Sequence, residues 1–340
     1  MFPFSGVLLS RPFGCIPYLG TKRYLAPKIL RTILSRHPHI SHFYDLFGGG
    51  GAMSLCAAAN APQLKTIHYN DIDPAITAFL TIVQQWFLGQ CNSFTRWSDA
   101  LLPREFYRWQ SREDFNNSKN DPTYWGGYLR SVWSFSHTHA YLYADDIISY
   151  KRALFRFLVD GTDREELEQF LSIKLPISFF QTTLEHRRQH FRRITTRHAP
   201  KLLVKLAPTS LTDIQQIHPL ERIRHISNCH SILKLSRITN SSYVEVPILD
   251  RPETVIYVDP PYCDTGKGTY RFGSEKFDYT NFYNWCLDSK FPVYISGYEM
   301  PSKFVPICEF PVYVKLSAYC HDKNDGSCLS RIEKLFWNGK

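Results

Sequence analysis

A short aromatic run ends in four glycines and predicts a buried strand followed by a tight turn: Phe43-Tyr44-Asp45-Leu46-Phe47-Gly48-Gly49-Gly50-Gly51. The Ala- and Leu-rich stretch Ala52–Asn60 follows and predicts a helix. A second strand is predicted over Thr66-Ile67-His68-Tyr69, and Pro74 then suits the first turn of a helix that runs to Leu88. Two strand–loop–helix units in succession predict a parallel sheet with crossover helices.

The same alternation returns in the last third of the chain. A fully buried strand is predicted over Thr254-Val255-Ile256-Tyr257-Val258, a helix over residues 280–287 and a further strand over residues 292–296. Residues 312–316 and 333–337 predict two antiparallel strands, joined by a loop at 320–327 that is rich in Asp, Asn and Gly. The two ends of the chain therefore build one α/β sheet.

The middle of the chain, from about residue 93 to 219, has a different pattern. Charged residues are denser there, helix-like segments dominate, and Leu184–Lys205 carries seven Lys and Arg against one acidic residue. We therefore predict a domain inserted at residues 93–219 into a core formed by residues 1–92 and 220–340.

Composition excludes several classes of protein. Hydrophobic residues make up 44% of the 340, enough to bury a core, so a disordered chain is excluded. No run of 18 apolar residues occurs, and the N-terminal residues do not have the pattern of a secretory signal. The nine cysteines form no C-x-x-C pair, which predicts free thiols in a reducing cytoplasm rather than disulfides or a zinc site.

Charge and aromatic content indicate a possible partner. The chain has 40 Lys and Arg against 31 Asp and Glu, with a formal net charge of +9, and it contains 24 Phe, 20 Tyr and 7 Trp. This balance is typical either of an ordinary basic protein or of one that binds a polyanion and stacks aromatic rings on bases.

The glycine turn and the acid after the second strand predict a ligand. Glycines between a strand and a helix let a ligand approach the backbone closely. Asp71 follows Gly48 by 23 residues and ends the second strand, where doubly wound folds hold the ribose hydroxyls of an adenosine cofactor. The glycines do not spell G-x-G-x-x-G, so a dinucleotide is disfavoured, and close strand-to-helix packing is an alternative explanation for them.

The segment Asp259-Pro260-Pro261-Tyr262 gives the strongest chemical signal. It follows the buried strand and so lies at the carboxyl edge of the sheet, where ligands bind. The prolines present the Asp259 carboxylate and the Pro260 carbonyl as acceptors for the two hydrogens of an exocyclic amino group. The Tyr262 ring can stack on a planar base. These acceptors strengthen as positive charge develops on the amine in the transition state.

Eight segments, in this order, resemble the Dam-type, amino-group-specific DNA adenine methyltransferases, especially the versions common in phages and prophages. They are Pro17-Tyr18-Leu19-Gly20-Thr21-Lys22-Arg23-Tyr24-Leu25, Phe47-Gly48-Gly49-Gly50, Asn70-Asp71-Ile72-Asp73, Val132-Trp133-Ser134-Phe135, Tyr141-Leu142-Tyr143, Ile256-Tyr257-Val258-Asp259-Pro260-Pro261-Tyr262, Ile295-Ser296-Gly297-Tyr298-Glu299-Met300-Pro301 and Leu335-Phe336-Trp337-Asn338-Gly339-Lys340. Their order is that of the α group of this class.

The resemblance implies a Rossmann-like class I methyltransferase sheet with an inserted, mainly helical target-recognition domain. It implies S-adenosylmethionine as cofactor and, as acceptor, the N6 amino group of an adenine flipped out of duplex DNA. The implied cofactor-binding residues are Tyr18, Lys22, Phe47, Gly48, Gly50, Asp71 and Asp259, and the implied catalytic residues are Asp259, Pro260, Pro261 and Tyr262. Without the resemblance, an ordinary solvated lysine after a turn is the preferred interpretation of Lys22.

DNA contacts are predicted in the insertion. Where relatives have a Gly-Asn-Asn-Gly-like hairpin tip, this chain has Ser136-His137-Thr138-His139-Ala140, so we expect base contacts from Trp133, Ser136, His137 and His139. The basic run with Arg187, Arg188, Arg192 and Arg193 predicts phosphate contacts, although a solvated helix face is the alternative. A metal held by the two histidines with Asp145 and Asp146 is disfavoured because methyl transfer needs none.

Two other functions stay open from the sequence alone. The acceptor could be the N4 amino group of cytosine, although such relatives more often carry Ser in place of Asp259. The chain could also be a catalytically silent DNA-binding protein, although the intact Asp71, Asp259 and Tyr262 argue against decay. We expect a monomer that binds double-stranded DNA, with no metal and no membrane partner.

Overall fold

The structure, a computed structural model, describes residues 16, 18, 21–89, 102–135, 139–176, 182–206, 211–262, 277–314 and 329–340. The side chains of 204–206, 312–314 and 329–331 are outside this description. Among the described residues, no helix combines the length and the apolar character needed to cross a membrane.

A seven-stranded sheet and a two-stranded hairpin make up the β structure of the described residues. The strands are β1 His42–Asp45, β2 Thr66–Asn70, β3 Ser134–Phe135, β4 Ala140–Tyr141, β5 Arg237–Thr239, β6 Thr254–Val258, β7 Val293–Gly297, β8 Val305–Val314 and β9 Leu329–Trp337. The sheet order is β5-β2-β1-β6-β7-β9-β8. Within this sheet, β5, β2, β1, β6 and β7 are parallel, and β9 runs antiparallel to its neighbours β7 and β8. The remaining strands, β3 and β4, pair with each other. The predicted mixed α/β fold with a mostly parallel sheet is confirmed.

Helices surround this sheet and fill the middle of the chain. They are α1 Ala26–Arg36, α2 Ala52–Asn60, α3 Pro74–Phe87, α4 Arg112–Ser118, α5 Tyr124–Val132, α6 Ile148–Asp160, α7 Arg164–Leu171, α8 Leu184–Arg197, α9 Ala199–Leu206, α10 Leu211–Gln215, α11 His218–Ile226 and α12 Tyr279–Asp288. Polar caps begin several of them: Asp73 accepts hydrogen bonds from the first amides of α3, and Thr123 does so for α5.

Successive residues of each central strand point to opposite faces of the sheet, and both faces are covered. In β6, Val255 and Tyr257 join the core that includes α1, α2 and α3, whereas Ile256 and Val258 pack with Phe282 of α12. A strand that is apolar at every position is what a parallel sheet covered on both sides requires. The central strands are therefore fixed in place, and their carboxyl ends form a rigid edge.

The strand β8 differs from its predicted position. It begins at Val305 rather than at residue 312, and it includes Pro306 and Pro311. Proline cannot donate a backbone hydrogen bond and is tolerated on edge strands, and β8 is the edge of this sheet. The pairing with β9 also shifts register between Pro306 and Cys308.

The middle segment packs directly on helix α3 rather than standing apart from it. The rings of Phe106 and Tyr128 both lie 5.9 Å from that of Phe79 in α3. A Cβ at Gly127 would come within 2.1 Å of the Ala75 carbonyl oxygen, so α5 and α3 approach closely. The helical content matches the expectation for this segment, while its division from the core at residues 93 and 219 stays a prediction.

Candidate active site

Three carboxylates meet at the carboxyl edge of the sheet. Asp45 ends β1, Asp71 follows β2, and Asp259 follows β6, and these three strands are neighbours. They line one cavity with all seven residues that the sequence assigns to the cofactor: Tyr18, Lys22, Phe47, Gly48, Gly50, Asp71 and Asp259. The structure therefore brings together residues that lie up to 241 positions apart.

Contacts within the protein, and not only access for a ligand, require glycine in the loop Gly48–Gly51. A Cβ at Gly48 would lie 2.1 Å from the Tyr69 ring, and one at Gly50 would lie 2.2 Å from the Ile16 carbonyl oxygen. Gly49 has a φ of 48° and Gly51 one of 78°, in the region that favours glycine. Packing and backbone geometry thus require small residues here, independently of any ligand.

Asp71 holds the glycine loop in place. Its Oδ2 accepts the Gly49 amide at 2.8 Å, and its Oδ1 accepts the Asp73 amide at 2.8 Å. Burial raises the pKa of Asp71 to about 6, and these two hydrogen bonds act in the opposite direction. A carboxylate has lone pairs to spare after two such bonds, so the predicted contact with ribose hydroxyls stays chemically feasible.

Asp45 also lines this cavity, although the sequence motifs assign no site role to it. Its Oδ2 accepts the amide and the hydroxyl of Ser54, at 3.1 and 2.7 Å, while Oδ1 is buried with no hydrogen-bond partner among the described residues. Burial raises the pKa of Asp45 to about 7, against the effect of the Ser54 hydrogen bonds. Such a carboxyl group favours a cationic ligand, which would stabilise its ionised form.

Lys22 is buried against two carboxylates, so the interpretation of Lys22 as a solvated lysine is wrong. Its Nζ lies 2.8 Å from Asp259 Oδ2 and 3.4 Å from Glu333 Oε1. The hydroxyl of Tyr262 lies 3.0 Å from Asp259 Oδ1 and 3.2 Å from Glu333 Oε1, so its single hydrogen can be donated to either carboxylate. The Asp259 carboxylate is therefore already engaged by a cation and a hydroxyl, rather than open as the sequence suggested.

A second cavity, of about 330 Å³, adjoins the first at the Asp259–Tyr262 segment. Its walls carry four aromatic rings, those of Tyr262, Tyr279, Tyr283 and Tyr298, and also include Pro260, Pro261, Glu299 and Met300. The rings of Tyr262 and Tyr298 are 4.9 Å apart at an angle of 62°. Pro261 lines both cavities, so this segment forms the wall between them.

The predicted base-contacting residues have mixed positions. Trp133 is fully buried, and its indole nitrogen donates to the Tyr128 hydroxyl, so it has no exposed surface with which to touch DNA. His139 is half-buried, with a φ of 62° and an amide that donates to Ser134. Ser136 and His137 lie outside the described residues. The prediction for Trp133 is therefore corrected: its role is packing beneath the hairpin.

The basic run divides into buried and exposed side chains. Arg187 and Arg188 are 5% and 7% exposed; Arg187 donates to the Val159 carbonyl, and Arg188 pairs with Glu221 of α11. They are not available to phosphates, which corrects that prediction. Arg192 and Arg193 are exposed, Arg192 also pairing with Glu221, and Arg197 and Lys201 are exposed beyond them.

A buried ion pair connects Arg130 of the middle segment to Asp73, which is hydrogen-bonded to the cavity residue Asp71. Both terminal nitrogens of the Arg130 guanidinium lie on the Asp73 carboxylate, at 2.6 and 2.8 Å, with both side chains under 7% exposed. Arg130 is on α5, which leads into the hairpin β3–β4, and Asp73 caps α3 and donates its amide to Asp71. Local sequence patterns do not predict this pair, because its members are 57 residues apart.

The described residues contain no cluster of side chains suited to bind a metal ion. No group of three or more His, Cys, Asp and Glu side chains suited to a metal occurs there, and Asp145 pairs with Arg112. The four cysteines within the described residues are free.

Comparison with known proteins supplies the activity. Residues 18–166, less than half of the chain, match the family model of the D12 class N6 adenine-specific DNA methyltransferases. This range contains Lys22, the glycine loop and Asp71, and it ends before Asp259. The predicted activity, methylation of the N6 amino group of adenine in DNA by an enzyme, is thereby confirmed. The search of curated proteins returned no match.

Proposed function

We propose that this enzyme transfers a methyl group from S-adenosylmethionine to adenine N6 at specific sites in duplex DNA. One observation supports the proposal above others: the Asp259–Tyr262 segment separates a cavity lined by acids and glycines from a cavity lined by aromatic rings. A methyl donor in the first cavity and a base in the second would meet at this segment. Holding two reactants in line is a major source of rate in a direct transfer.

The first cavity fits a cationic adenosine cofactor. The unpartnered Oδ1 of Asp45 suits a positive group, and Asp71 lies where ribose hydroxyls would be held. Tyr18 and Phe47 add ring surface beside the glycine loop. S-adenosylmethionine bound there would supply an electrophilic methyl group on a positively charged sulfur.

In the second cavity, the residues around the amino group raise its nucleophilicity. A neutral aryl amine is a weak nucleophile because its lone pair is conjugated with the ring. The Asp259 carboxylate and the Pro260 carbonyl would accept its two hydrogens and stabilise the positive charge that develops on nitrogen. Tyr262 would stack on the base, which must leave the duplex to reach this depth.

Target recognition is proposed for the segment 93–219, in a Dam-type enzyme with the α-group motif order that acts as a cytoplasmic monomer. The hairpin β3–β4 is supported from below by Arg222, which donates to the carbonyl oxygens of Val132 and Ser134, each at 2.8 Å. Because Arg222 anchors the hairpin, we favour its tip as the part that contacts the DNA bases. The exposed Arg193 and Arg197 would instead contact phosphates, without reading sequence.

The function is tested with purified protein, tritiated S-adenosylmethionine and unmethylated duplex DNA. We expect N6-methyladenine as the labelled base in the hydrolysed product, at a restricted set of sequences found by sequencing modified bases. Labelled N4-methylcytosine would contradict the proposed acceptor, and DNA binding without label would indicate the catalytically silent alternative.

Exposed arginines of the basic run should affect binding without affecting sequence choice. In the double variant Arg193→Ala/Arg197→Ala, we expect weaker binding to all duplexes and a flatter salt dependence, by about one unit of slope for each phosphate that is no longer neutralised. Fluorescence anisotropy at several salt concentrations measures this slope. Lys65→Ala is the matched control, because Lys65 is exposed at the opposite, amino-terminal edge of β2. An unchanged slope in the double variant would place the phosphate contacts elsewhere.

A further inference from the structure

We propose that Glu333 is a positioning residue for methyl transfer. It becomes the partner of Lys22 and Tyr262 when Asp259 turns its carboxylate to the amino group of the base. The inference rests on the proposed function and extends it to a residue outside the motifs that carry the resemblance. Glu333 lies on β9, the antiparallel strand beside β7.

The Glu333 carboxylate lies close to the same two groups that contact the Asp259 carboxylate. Lys22 Nζ is 2.8 Å from Asp259 Oδ2 and 3.4 Å from Glu333 Oε1, so the ammonium is shared and held mainly by Asp259. The same Oε1 atom lies 3.2 Å from the Tyr262 hydroxyl, which can donate to either carboxylate. Both groups that occupy the Asp259 carboxylate thus have Glu333 as an alternative acceptor within reach.

Burial makes this second acceptor significant. Glu333 is 5% exposed, and Lys22 is 6% exposed, so neither side chain can exchange its partner for bulk water. Burial raises the pKa of Glu333, and the Lys22 ammonium opposes that shift. An ammonium that left Asp259 with no second carboxylate nearby would be a buried, unpaired charge, which is strongly unfavourable.

The charge of the cluster also suits the reaction. Two carboxylates and one ammonium carry a net charge of −1 next to the cavity wall, where positive charge develops on the attacking nitrogen. Without Glu333, the cluster would be a neutral Lys22–Asp259 pair, and the amino group would have to compete with the ammonium for the same carboxylate. Glu333 therefore leaves the Asp259 carboxylate available to the amino group.

The test compares Glu333→Gln with the wild type in single-turnover transfer of a tritiated methyl group to DNA. We expect a rate about 10- to 100-fold lower, as for a misplaced reacting group, with the dissociation constants for S-adenosylmethionine and DNA changed less than about threefold. Glu333→Asp should recover part of the rate. Glu309→Gln, which removes an exposed carboxylate paired with Lys334 on the same hairpin, is the matched control.

A double-mutant cycle separates positioning from a structural role. If Glu333 acts through Lys22, then Glu333→Gln should change the rate less than about threefold in a Lys22→Met background. A full, additive reduction in that background would overturn the proposal, as would a wild-type rate in the single variant or an equal reduction in cofactor affinity. Because tritium counts transfer to any base, label on cytosine would contradict the proposed acceptor and leave this comparison valid. A wild type that transfers no label would contradict both.

Discussion

Replacing Asp259 with alanine is expected to reduce the rate of adenine methylation by at least about 100- to 1000-fold, the effect typical of removing one preorganised group at a developing charge. The variant removes the acceptor for the amino group and the nearer of the two carboxylates that contact Lys22 among the described residues. Duplex binding should be unchanged, because the phosphate contacts are expected on the middle segment. Single-turnover transfer and fluorescence anisotropy measure the two effects separately.

The fold should survive this substitution because the structure provides a substitute partner. Lys22 keeps Glu333 within 3.4 Å, so the ammonium is not left without a buried counter-charge. Asp259→Asn retains one acceptor oxygen and should therefore keep more activity than the alanine variant. Asp250→Ala, at an exposed ion pair with Lys290, is the matched control. Near-wild-type rates in the alanine variant would mean that another group activates the amine.

Local sequence predicted the elements that carry the site. The helix Ala52–Asn60 and the strand Thr254–Val258 have the predicted bounds, because each is delimited by a strong signal: glycines before the helix, and Asp-Pro-Pro after the strand. These signals also placed the glycine loop, Asp71 and Asp259 at one edge of a parallel sheet. A sheet edge is a local consequence of strand ends, so a sequence can indicate it.

The charges within the site could not be predicted in the same way. Lys22 and Glu333 are 311 positions apart and meet only because β9 enters the sheet beside β7. The strand that carries Glu333 pairs with β8, whose prolines weaken its own strand signal. Without that topology, a lysine after a turn and a glutamate in a strand look like ordinary surface residues.

The basic helix shows where a charge count misleads. Helical spacing places Arg187 and Arg188 on the same face as Phe191 and Thr195, which are buried, and this signal was present in the sequence. Their partner Glu221 lies on another helix, so no count within the run could have revealed it. Only the exposed face, with Arg193 and Arg197, retains the predicted character.

The buried ion pair between Arg130 and Asp73 should have the largest effect on stability. Arg130→Met leaves the Asp73 carboxylate buried without its bidentate partner, and we expect the free energy of unfolding, measured with urea, to fall by about 3–5 kcal/mol. Arg104→Met is the matched control, because Arg104 forms an exposed ion pair with Asp160 at 3.8 Å. For this variant, the expected decrease in the free energy of unfolding is under about 1 kcal/mol.

The same substitution should also weaken cofactor binding, although Arg130 lies outside the cavity. Asp73 accepts the amides of Ala75 and Ile76 at the start of α3, and its own amide holds Asp71, which in turn holds Gly49. An Asp73 without Arg130 is expected to shift, and the shift would move Asp71 with it. Calorimetric titration with S-adenosylmethionine at a temperature where the variant is folded should show reduced affinity. Unchanged affinity together with reduced stability would show that Arg130 only joins α5 to α3, and that the middle segment does not influence the cofactor cavity through this ion pair.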